Sequence, residues 1–150
     1  MMSFIKTDRV EKKSNAVLKK IFKGTLIDKV SLKVSSSNKD EKWYNIKDKV
    51  SKKSKGYLVT TSTIGRFDKF DFMVLFHPDK SINKVRVLIY REQHGGEIAS
   101  KRWLKQFEGK TIKNSKTLSK EVDGISGATL SCNAITKEIK NTLIKIQKVN

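Results

Sequence analysis

The chain lacks the raw material for several common kinds of site. It has one cysteine, Cys132, which excludes an internal disulfide and a cluster of thiolate metal ligands. That single thiol leaves the redox compartment open. Its two histidines, His77 and His94, stand in no metal-ligand spacing, so no structural metal is expected. Neither GxGxxG nor a P-loop is present, and no segment reads as a βαβ nucleotide unit. An ordinary dinucleotide or triphosphate fold is therefore disfavoured. No stretch approaches the roughly 18 apolar residues of a membrane-spanning helix. Met1 to Val10 has no apolar signal core, so either the mature chain carries no such segment or it has been lost.

Acidic residues are scarce. Lys and Arg number 33 against 15 Asp and Glu, a formal net charge of +18. Residues 1–55 hold 16 of the cations and 6 of the acids, so the excess is spread along the chain. Such a field attracts nucleic acid, anionic lipid, acidic protein or a phosphorylated cofactor alike. Nearly all of it is lysine. Base-reading usually falls to arginine, so no specific nucleic acid partner is expected.

A length of 150 residues favours a single domain. Within it, residues 1–55 form a basic helix and a strand and loop region packed on a core of residues 56–150. Val10, Val17, Leu18 and Ile21 recur at helical spacing over 9–23, with Gly24 as the stop. Leu26, Val30, Leu32 and Val34 alternate as a short strand. The polar run from Ser35 reads as a loop whose far end Trp43 and Tyr44 anchor. Three strand signals follow, at Gly56–Thr63, Phe70–His77 and Lys84–Glu92, rich in β-branched and aromatic residues. The turn at Pro78 and Asp79 is short, which favours antiparallel pairing. Residues 97–109 read as a helix carrying Ile98, Trp103, Leu104 and Phe107. A last helix aligns Leu130, Ala134, Ile135, Ile139, Leu143 and Ile146 on one stripe. The sum is an α+β domain, an antiparallel sheet flanked by helices.

The most informative run is Asp123-Gly124-Ile125-Ser126-Gly127-Ala128-Thr129-Leu130-Ser131, directly before that last helix. Gly124 and Gly127 let the backbone turn tightly and approach a ligand. Thr129 falls at or near the first helical turn, where unpaired amides and the helix dipole favour a phosphate. A phosphate ester on its hydroxyl would sit on those amides. The same residue types are also ordinary N-caps and turn formers, and the residues alone leave both readings open.

Asp123, Ser126, Gly127, Ala128 and Thr129 occupy the positions of a motif in outline Asp, two variable residues, Ser/Thr, Gly, Ala, Thr/Ser. The chain thereby resembles the FMN-binding domain family, which includes the flavin mononucleotide (FMN) subunits of sodium-pumping NADH:quinone reductase and of the Rnf complex. Tyr90 to Ile98 adds a second landmark, a Glu followed by a Gly-containing turn. Here it is Gln-His-Gly-Gly, where the respiratory relatives tend to have Thr-Pro-Gly. The resemblance covers roughly Gly56 to Ile146. It implies FMN held by a phosphoester on Thr129, attached by a separate Mg-dependent flavin transferase with FAD as donor. It also implies a site that includes Asp123, Gly124, Ser126, Gly127, Ala128, Leu130, Ser131, Glu92, His94 and Gly95. Asp123 either caps the turn or helps present the hydroxyl through Mg²⁺. Cys132 reads as a small buried residue rather than a redox thiol, and Trp103 and Phe107 as core.

No nucleophile–base pair and no nicotinamide site is evident. The expected function is therefore an electron carrier between upstream and downstream redox proteins, with no catalytic residues of its own. The resemblance favours an extracytoplasmic or periplasmic, membrane-associated location, with an anionic membrane surface as a possible partner. Two other readings stay open: a basic module for nucleic acid or anionic membrane, and a small enzyme with non-covalent FMN.

Overall fold

The computed structural model describes residues 2–66, 68–91 and 96–150. Helix α1 (Met2–Ile21) leads into a five-stranded antiparallel sheet: β1 (Ile27–Leu32), β2 (Lys42–Asp48), β3 (Ser54–Ile64), β4 (Lys69–Phe76) and β5 (Ile82–Ile89). Spatial order equals sequence order, so the sheet is a meander. Short helices α2 (Lys101–Leu104) and α3 (Leu118–Glu121), with 3₁₀ turns at 96–99, 105–107 and 112–114, precede the long helix α4 (Thr129–Ile146). The α+β architecture is as expected.

The strand alternation sorts side chains onto two faces. Tyr57 and Val59 of β3 and Phe70, Phe72, Val74 and Phe76 of β4 join the larger core with Trp103, Phe107, Ile135, Ile139 and Leu143. Leu58, Met73 and Leu75 point the other way, onto Leu18, Val17 and Ile21 of α1. Layers cover both faces of β4, which explains why its apolar run is continuous rather than alternating. Gly56 has φ +137°, and a Cβ there would lie 2.1 Å from the Phe76 carbonyl oxygen. Only glycine lets β3 enter the sheet at this point.

Three local expectations are corrected. The stretch read as a loop from Ser35 ends in β2, which pairs with both β1 and β3. Trp43 and Ile46 are buried within it. The Ser/Asn/Asp cluster before it and the polar residues within it disguised the strand. The helix read over 97–109 is broken into one α-turn and two 3₁₀ turns, because Leu104 and Phe107, three apart, suit 3₁₀ geometry equally well. Leu130 does not belong to the inner stripe of α4: it is 60 % exposed, while Cys132, Ile135, Ile139, Thr142, Leu143 and Ile146 face inward. Leu130 lies five residues before Ile135, about 140° round the helix at roughly 100° per residue.

Candidate functional site

The motif run forms a loop pinned at both ends, with its apex free. At its start Trp103, Gln106 and Asp123 make a closed clasp. The indole Nε1–H of Trp103 donates to Asp123 O at 2.7 Å. The Asp123 amide donates to Gln106 Oε1 at 2.8 Å. Gln106 Nε2 donates back to Trp103 O at 3.1 Å. Trp103 is fixed in turn by an edge-on contact with Phe107, 5.4 Å between ring centroids. Trp103 and Phe107 are core residues, as expected, and Trp103 is also the donor that sets the loop's position.

The loop then makes a turn in which the Ala128 amide donates to Ile125 O at 3.0 Å. Gly127 holds its third position with φ +81°, where a type II turn needs a positive φ and therefore favours glycine. The Ile125 amide lies near the Cys132 sulfur and favours its thiolate. Burial pushes the Cys132 thiol above its ordinary pKa, partly opposed by that amide. A buried, protonated thiol suits a packing role.

At the apex, Ser126, Gly127, Thr129 and Leu130 are exposed. Thr129 is the first residue of α4, and Ala128 occupies the N-cap with no side-chain capping bond. The capping reading of Thr129, Ser126 and Asp123 is thus not the one realised. The Thr129 hydroxyl has no hydrogen-bond partner among the described residues. The amides of Thr129 and Leu130, at the positive end of an 18-residue helix, have no backbone acceptor among the described residues. A Cβ built on Gly124 or Gly127 would meet nothing within 4 Å, so both glycines border open space.

Of the other candidates, Ala128 and Ser131 are buried, with Ser131 the third residue of α4. The Asp123 side chain is exposed. Glu92, His94 and Gly95 lie outside the described residues. Gln106 was missed, because a lone polar residue on a short helix gives no signal that its amide meets a loop 17 residues on. A cavity of about 170 Å³ lies elsewhere, between α1 and the sheet, where Ser14, Lys42, Tyr44 and Asp71 line it. It is on the opposite side of the sheet from α4.

A search of curated proteins found no match. The model of the FMN-binding domain family matches residues 65–144, from the β3–β4 connection to near the end of α4, more than half of the chain. The chain belongs to the FMN-binding domain family, and FMN is its cofactor.

Proposed function

We propose that this chain carries FMN as a phosphoester on the Thr129 hydroxyl and relays electrons between redox partners. The observation that carries the reading is the exposed Thr129 Oγ1 at the start of α4, free of any capping role and bordered by Gly124 and Gly127. The residues present fit the group: a nucleophilic oxygen, two unpaired amides at a helix N-terminus, and glycines that border open space.

Thr129 Oγ1 would bond to the FMN phosphorus of FAD, with AMP leaving and the hydroxyl proton released. A separate flavin transferase performs this step. The Thr129 and Leu130 amides and the helix dipole hold the remaining negative charge. Asp123, exposed at the start of the loop, would help to present the hydroxyl, through Mg²⁺, during attachment. The clasp of Trp103 and Gln106 keeps the loop in register with α4. When bound, the isoalloxazine accepts and releases electrons singly, which suits relay. A covalent tether suits an extracytoplasmic setting, where lost cofactor is not replaced. The redox partners are upstream and downstream proteins.

The test is co-expression with a flavin transferase, followed by intact mass and in-gel fluorescence. The expected result is a gain of one FMN less water, absent in Thr129→Ala. An unchanged mass overturns the covalent reading. Bleaching of bound flavin by NADH without any partner overturns the carrier reading in favour of an enzyme.

A further inference from the structure

The structure assigns a membrane-docking surface to one end of the sheet, where two exposed aliphatic side chains sit inside a ring of lysines. Chain reversal after α1 and the β2–β3 turn meet there: the Lys49 amide donates to Leu26 O at 2.9 Å. Leu26 is 69 % exposed and Val50 82 %. Around them Lys20, Lys23, Lys49, Lys52, Lys53 and Lys55 are all exposed, and none makes an ion pair among the described residues. Asp48, an acid at this tip, accepts through Oδ1 from the Val50 and Ser51 amides at 2.8 and 3.0 Å and is attracted by Lys55 alone of these lysines. Those bonds hold the turn so that Val50 projects outward.

Unpaired like charges repel one another, and exposed aliphatics gain nothing from water. Both costs are relieved by one occupant, an anionic bilayer. Lysines near its surface are attracted to lipid headgroups, and the aliphatics enter the interface. Nucleic acid fits less well, since the tip offers neither arginine nor an aromatic platform for stacking. Among the described residues no helix is long and apolar enough to cross a membrane.

The proposal does not rest on the flavin reading, and its test reads lipid binding alone.

The experiment is co-sedimentation of the full chain with vesicles of phosphatidylcholine, with and without 30 mol % phosphatidylglycerol (~30 mol %, enough to give a negative surface). Binding is expected to the anionic vesicles and to weaken with salt. Lys49→Ser/Lys53→Ser/Lys55→Ser should weaken it by about 100-fold, roughly five-fold per cation. Leu26→Ser/Val50→Ser, which keeps every charge, should weaken it by about ten-fold. The control Lys113→Ser/Lys116→Ser/Lys120→Ser removes equal charge from the α3 region and should cost less than about five-fold. Circular dichroism checks that each variant is folded. Failure to bind anionic vesicles overturns the proposal. So does an equal loss in tip and control variants, which would make the attraction a property of net charge. Displacement by an oligonucleotide at equal charge concentration would assign the tip to nucleic acid and overturn it too.

Discussion

The indole N–H of Trp103 and the carbonyl of Asp123, 2.7 Å apart, couple the core to the first residue of the loop that leads into α4. Trp103→Phe keeps most of the ring but leaves that carbonyl without its donor. The expected loss is about 1–2 kcal/mol in urea unfolding. Flavin attachment should slow while the final mass stays the same. An unchanged attachment rate would show that the clasp has no part in presenting the loop.

Thr129 is exposed and caps nothing, so Thr129→Ala should change stability by less than about 0.5 kcal/mol while abolishing attachment. Thr129→Ser keeps a hydroxyl at the same place and should retain it. Thermal melts and intact mass together separate the two effects.

Gly127 and Gly56 both have positive φ, yet their substitutions should differ in severity. Gly127→Ala has open space and meets only the backbone penalty, about 1 kcal/mol. Gly56→Ala would place a methyl 2.1 Å from the Phe76 oxygen, which nothing short of moving β4 relieves. Loss of soluble expression is expected for Gly56→Ala and not for Gly127→Ala.

Glu41 lies before β2 with its side chain 1 % exposed, and Lys145 Nζ of α4 reaches its Oε2 at 2.9 Å. Trp43 Nε1–H donates to the same oxygen at 2.9 Å. Lys145→Met would leave the buried carboxylate short of its cation, at a cost on the order of 3 kcal/mol. Adding Glu41→Gln should recover part of it. Urea midpoints for the single and double variants check this.

Burial holds the Cys132 thiol above its ordinary value of 9.0. Above that pH the unfolded chain loses its thiol proton before the folded one does. Folded stability is therefore insensitive to this group below about pH 9 and falls as pH rises further. Cys132→Ala should remove that part of the alkaline decline, read as the difference in urea midpoint between pH 7 and pH 10. In the native wild type, thiol reagents should react with Cys132 only at the rate of opening.

The sequence carried the outer form of the fold and the place of the site better than the parts joining them. β3, β4 and β5 were legible because Phe, Val and Ile cluster between turn residues. α4 was legible because Ile135, Ile139, Leu143 and Ile146 keep a helical period. β2 was not, because polar residues outnumber its apolar ones and it follows directly on a Ser/Asn/Asp run of loop composition. Thr129 and the glycines could be found by their order in the motif. That Ala128 rather than Thr129 is the N-cap, and that Trp103 and Gln106 hold the loop, depends on contacts between segments and has no local signal.

Each strand of the meander pairs with the one made just before it, so the ribbon can grow in the direction of synthesis, hairpin by hairpin, without waiting for a distant partner. α4 is the last long element, and its inner face has nowhere to bury until β3 and β4 are joined. Thr129 therefore reaches its place only once those strands stand. A modifying enzyme that recognises the assembled turn would act on finished molecules and pass over nascent ones.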